Sequence, residues 1–239
     1  MIKLELDSYK NSDAFRFIYF ENEIIIRVFK EYINQGIELV AKKDKELIDN
    51  MNMIKDQNSI EYEHGRSIGE MRSYENYYLK QTFLKSGLIY LFTQLETALK
   101  NITERTAWFY EVNDIDYNII KNKKQSQHDV LSTIKQQIKL LSKINISEHS
   151  SWSNLKDIQH IRNCVVHRNS IVKRNNDNPK AKILSDNLIS IINRCEGLYY
   201  HESSNTLLIE KDFLINFSDI VSQFIDETLK KIYDSKKHR

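Results

Sequence analysis

Apolar positions recur at helical spacing along most of this chain, and polar breaks divide them into successive helices. Phe17, Phe20, Ile24, Val28, Tyr32 and Leu39 predict one long helix, or two in succession, from Asp13 to about Gln57. Asn58 and Ser59 then read as a break, with Ser59 as N-cap of the next helix. The strongest amphipathic pattern runs from Tyr74 to about Tyr110, carried by Leu84, Leu88, Leu91, Phe92, Leu95, Leu99 and Ile102. Asn113 to Ser126 is polar and lysine-rich and reads as a loop. Asp129 to Ile144 returns to helical spacing with Val130, Ile134, Ile138 and Leu141. Ser151 or Ser153 caps a further helix that runs to about Ser170.

Lys173 to Lys182 holds the only proline and an Asn-Asn-Asp-Asn stretch, so it reads as a flexible connection before a short helix, Ile183 to Arg194. Two short runs, Gly197 to His201 and Asn205 to Ile209, flank Glu202-Ser-Ser and predict a small β-hairpin near 198–209. Asp212 to Tyr233 closes the chain as a helix that buries Phe213, Phe217, Val221, Phe224 and Ile225.

Composition agrees with an all-α class. One Pro and five Gly in 239 residues are few chain-breakers, which favours long helices. The expected organisation is an N-terminal helical extension over 1–73 followed by a helical domain over 74–239. The longest uncharged apolar run is short, far below the roughly 20 residues that a membrane span needs. Met1-Ile2-Lys3-Leu4-Glu5 lacks the basic start and apolar stretch of a signal peptide, so a cytoplasmic location without membrane contact is expected. Cys164 and Cys195 accordingly read as free thiols. No CxxC or HExxH spacing supports a metal site, and no cofactor is expected.

Net charge is only +2, but it is unevenly spread. Residues 121–182 carry 13 Lys/Arg against 4 Asp/Glu, between flanks with an acidic excess. A basic middle suits either a polyanion footprint or a solvated lysine-rich surface.

The segment from Trp152 to Ser170 carries the chemistry. On a wheel of about 100° per residue with Arg162 at zero, Leu155, Ile158, Val165 and Val166 lie within about 60° of it. Lys156, His160, Asn163 and His167 form a polar flank. A guanidinium in an apolar stripe needs a partner, because an unpaired buried one costs several kcal/mol. It can snorkel outward or pair with a carboxylate such as Glu96. Alternatively, the stripe faces a cleft or subunit interface where the cation meets a phosphate. Asn163 and His167, four residues apart, share one face, so the amide can orient the imidazole.

Arg162-Asn163-Cys-Val-Val-His167 resembles the signature of the HEPN superfamily of ribonucleases: Arg, a polar residue, three more, then His. The resemblance implies an up-and-down helical bundle that works as a homodimer, with the two motifs facing each other. It implies a metal-independent RNA endonuclease of toxin or antiviral-defence type, with an antitoxin or defence-system protein as a further partner. RNA supplies its own nucleophile, the 2′-OH, and the expected product is a 2′,3′-cyclic phosphate. His167 would move protons, since histidine as a residue type titrates near neutral pH. Arg162 would stabilise charge on the phosphate oxygens, and Asn163 would orient the histidine or bind phosphate.

Lys156, Arg168, Lys173 and Arg174 are the expected RNA-backbone contacts, with Lys121, Lys123 and Lys124 as weaker ones. His160 and Glu96 are secondary candidates. A branch of the family carries a modifiable tyrosine two residues after the histidine; Asn169 stands there in this chain. Two other readings compete: a non-catalytic HEPN-type module that binds RNA or a nucleotide, and a helical protein-interaction domain.

Overall fold

The computed structural model describes residues 9–52, 60–122, 129–174 and 178–237. It is mostly helical with a two-stranded antiparallel sheet. In chain order the elements are α1 (Arg16–Asn52), α2 (Ile60–Phe109), α3 (Asp114–Asn122), α4 (Val130–Ser142) and α5 (Trp152–Arg168). They continue with α6 (Pro179–Arg194), β1 (Leu198–His201), β2 (Thr206–Ile209) and α7 (Lys211–Lys237). The Asn58–Ser59 break, part of the lysine-rich stretch with Lys123 and Lys124, and part of the Asn-Asn-Asp-Asn stretch lie outside the described residues.

Local chemistry explains two departures from the expected boundaries. Where a loop was expected after Asn113, α3 forms without a buried apolar stripe. Asn113 caps it by accepting the Asp116 N–H at 2.9 Å, Asp114 and Asp116 sit in its first turn, and Lys121 sits in its last. The connection expected from Lys173 to Lys182 gives way to helix at Pro179. Asn178 accepts the Ala181 N–H at 2.9 Å, and proline at the first helical position loses no hydrogen bond.

The chain divides into two compact units, each assembled from separated stretches. Unit 1 comprises Met1–Val28, Tyr90–Ile161 and Asn216–Arg239; unit 2 comprises Phe29–Ile89 and Arg162–Ile215. The boundary expected at 73/74 falls inside α2, which runs unbroken.

Unit 1 buries Leu91, Phe92, Leu95, Leu99 and Ile102 of α2 with Leu131, Ile134 and Ile138 of α4, Leu155 and Ile158 of α5, and Phe217, Val221 and Phe224 of α7. Each such side chain contributes roughly 1.5–3 kcal/mol by leaving water. A buried histidine, His149, lies edge-on to Phe224 and bonds through Nδ1 to Glu227 Oε2 at 2.8 Å. That bond, together with one from Gln223, holds the Glu227 carboxyl below its ordinary range.

The α1 helix departs from expectation. Its periodic residues Phe17, Phe20, Ile24 and Val28 are exposed by 63%, 53%, 52% and 55%, while Ile18 and Ile26 are buried. In unit 2 the same holds for exposed Tyr32 and Leu39 against buried Phe29, Ile33 and Val40. The helix carries two apolar faces, and the buried one is formed by Ile18 and Ile26 in unit 1 and by Phe29 and Ile33 in unit 2.

In unit 2 the hairpin registers Leu198 with Ile209 and His201 with Thr206. Buried Gln81 of α2 binds the far end of β2 through both ends of its amide. It donates to Ile209 O and accepts from Ile209 N, each at 3.1 Å. Gly197 (φ 78) turns the chain into β1 where a Cβ would lie 2.8 Å from the Phe213 backbone nitrogen, so only glycine fits.

Candidate functional site on α5

The last turns of α5 belong to unit 2 and are fixed by the way the helix ends. Two successive residues, Asn169 (φ 51) and Ser170 (φ 66), adopt the left-handed conformation. Asparagine tolerates it through local hydrogen bonding; serine is held there by its surroundings. The buried Ser170 donates its N–H to Cys164 O at 3.1 Å, and its carbonyl accepts the Leu207 N–H at 2.8 Å. Val172 N–H reaches Asn205 O at 2.8 Å, so the stretch following α5 is tied to the hairpin. The end of α5, with His167 and Arg168 in its last turn, is thereby anchored at backbone level.

The buried face of α5 runs through Leu155, Ile158, Ile161, Cys164 and Val165. Val166 is exposed, which corrects the stripe drawn from the sequence. Arg162 consequently lies at the edge of the apolar face, half-buried, instead of at its centre. Its Nη1 donates to Asn163 Oδ1 at 3.0 Å, so the guanidinium bends toward the polar flank. Asn163 is half-buried, and His167, one turn later, is exposed. The three residues therefore stand on one solvent-accessible edge of a single helix. A fixed cation, an amide holding it and an open imidazole can act on a phosphodiester.

Basic side chains follow them in unit 2. Arg168 is half-buried and donates to Ser185 Oγ of α6 at 3.4 Å from Nη2, so packing employs part of its guanidinium. Lys173 and Arg174 are exposed. Lys173 lies 5.8 Å from the centre of the Tyr200 ring. With Asp186, Ile189, Ser190, Asn193 and Arg194 it lines an open groove of about 550 Å³. Lys85 of α2 escaped the sequence reading, because a single lysine on an amphipathic helix gives no local signal. Burial pushes its ammonium below the ordinary lysine value, and it lies within electrostatic reach of Cys164. Burial also pushes the buried Cys164 thiol up, against the nearby Arg168 and Lys85. Cys164 and Cys195 are free thiols.

Glu96, Lys121, Lys156 and His160 belong to unit 1, where Lys121 pairs with Glu104 at 3.6 Å. His160 is exposed on α5, and Glu96 is half-buried on α2. Lys156 is committed elsewhere: its Nζ donates to Asp129 Oδ2 at 2.7 Å and to Gln159 Oε1 at 2.9 Å. Burial alone would raise the Asp129 carboxyl, but hydrogen bonds from Lys156 and Ser132 outweigh it and hold the pKa at about 2. Lys156 thus ties α5 to the cap of α4.

Among the described residues, no group of three His, Cys, Asp or Glu side chains is placed to hold a metal ion, and no helix is long and apolar enough to cross a membrane. No protein-family model, curated protein or solved structure matches the chain.

Proposed function

We propose that this protein is a metal-independent RNA endonuclease that acts as a homodimer through Arg162, Asn163 and His167. The observation that carries the reading is the bond from Arg162 to Asn163, one turn before an exposed His167 on the same helix. 2′-OH transesterification needs a proton acceptor, a proton donor and a cation from the protein, and an imidazole from each copy beside Arg162 supplies them. His167 removes the proton from the 2′-OH as its oxygen attacks the adjacent phosphorus. The bond to the 5′ oxygen breaks, and that oxygen takes a proton from the His167 of the second copy. The products are a 2′,3′-cyclic phosphate and a free 5′-hydroxyl. Arg162 neutralises charge gathering on the non-bridging oxygens, and Asn163 acts as a positioning residue for its guanidinium.

Lys173, Arg174 and the outer part of Arg168 are the backbone contacts in this reading, supported by the exposure of the first two. The HEPN resemblance adds an up-and-down bundle and a role as a toxin or antiviral effector restrained by a partner protein.

The test is cleavage of total RNA and tRNA by purified protein in EDTA, beside His167→Ala. Wild type is expected to leave cyclic-phosphate ends. The variant is expected to be slower by about 10²–10⁴, the usual contribution of a general base. Equal cutting by both proteins would remove His167 from the mechanism. Two folded but inert proteins would favour the RNA-binding module.

A further inference from the structure

We infer that the outer face of α1 is a self-association surface, on which a second copy of this chain packs its own α1 in antiparallel orientation. Phe17, Phe20, Ile24 and Val28 recur at spacings of three and four, and each is more than half exposed. At about 100° per residue they fall within an arc of about 80°, on the side of the helix away from buried Ile18 and Ile26. Single exposed apolar residues need no explanation, but an unbroken row over three turns marks an interaction surface.

The flanks select the occupant. Glu21, Glu23, Arg16 and Arg27 border the row and are all exposed. The charges balance, whereas a helix that lies on an anionic membrane carries a basic polar face. Glu23 and Arg27 lie on the same flank, one turn apart. When two copies cross antiparallel about Ile24, each flank meets its own counterpart running in reverse. Phe20 then faces the second copy's Val28, Ile24 faces Ile24, and Glu23 comes within a turn of the second copy's Arg27. A flank of one sign would repel its own copy; the flank of Glu23 and Arg27 is complementary to itself in antiparallel register, and Glu21, alone on the opposite flank, lies six positions from its own counterpart.

Area sets the strength. Four side chains at half exposure offer roughly 400 Å² per copy, about half of the ~800 Å² that each partner contributes in a standard stable complex. The association is therefore weak, with a Kd on the order of micromolar or above. It is independent of the ribonuclease reading, because a chain that never cut RNA would pair in the same way.

Sedimentation equilibrium of the full chain over a concentration series tests the inference. The weight-average mass of the wild type is expected to rise with concentration beyond the mass that Ile24→Asp reaches, whether or not copies also pair at α5. Ile24→Asp and Phe20→Ser, both at exposed positions, should keep the helical circular dichroism and weaken self-association by about tenfold or more. Glu23→Arg alone should also weaken it, and adding Arg27→Glu should restore it. The inference is overturned by a wild type that stays monomeric throughout, or by Ile24→Asp pairing as strongly as wild type. A double charge swap no better than the single one would exclude the antiparallel register. Binding of anionic phospholipid vesicles that is lost in Ile24→Asp, without self-association, would assign the face to a membrane instead.

Discussion

Two rows in unit 1 share nearly the same spelling and meet opposite fates. Phe17, Phe20, Ile24 and Val28 on α1 stand in solvent, whereas Leu91, Leu95, Leu99 and Ile102 on α2 are completely buried. Spacing of three and four residues makes both rows continuous along a helix. It does not decide which row the core will take. Along Leu91 to Ile102, α2 offers one large apolar face, so its burial follows from its pattern. The α1 helix offers two, and only the row of Ile18 and Ile26 is turned inward.

The comparison breaks most severely at the buried row. Leu95→Ala removes three heavy atoms from a side chain with no solvent exposure and should cost about 3 kcal/mol, read as a lowered urea midpoint at unchanged m-value. Gly87→Val tests the inward face of α1 from the opposite side, in unit 2. A Cβ there lies 2.9 Å from Ile33 Cδ1 and 3.1 Å from Leu214 Cδ1, so overpacking should destabilise by about 2 kcal/mol in thermal melts.

An intermediate effect is expected from the half-buried polar link between α4 and α5. Asp129 titrates at about 2 when folded, below its ordinary 3.8. The native state thus binds its proton less readily than the unfolded chain, and the stabilisation is fully present above pH 3.8. It fades as pH falls toward 2. Solvent screening at this partly exposed pair reduces it to about 1 kcal/mol, and Asp129→Asn should remove that increment and its pH dependence from acid titrations of stability.

The smallest effect belongs to the exposed row. Ile24→Ser should change monomer stability by less than about 0.5 kcal/mol, measured in dilute solution where copies do not pair. A loss as large as that of Leu95→Ala would place Ile24 in the core and end the contrast between the rows.

The same distinction governs how much of the site was legible beforehand. Arg162, Asn163 and His167 sit on one short helix, so their relative placement follows from 3.6 residues per turn. That Arg162 lies at the edge of the apolar face and bonds to Asn163 required the tertiary packing, which rotated the buried face toward Ile161 and Cys164. Lys156 had every local feature of a phosphate contact. Its partner Asp129 is 27 residues away, and nothing nearby in the chain announces the pair. Lys85 was missed for the converse reason, since its altered environment comes from burial between elements distant in sequence.

Local physics therefore determined the helices, the hairpin at 198–209, the cap of α4 by Asp129 and the residues presented along the end of α5, because each depends on interactions within a few residues. It also determined the buried row of α2 from Leu91 to Ile102, where the helix has one apolar face. The tertiary structure alone decided which face of α1 is buried, which basic side chains are already paired, and how α5 is tied to the hairpin through Ser170. Burial and long-range pairing are properties of what packs against a residue, and the sequence around a residue does not specify its neighbours in space.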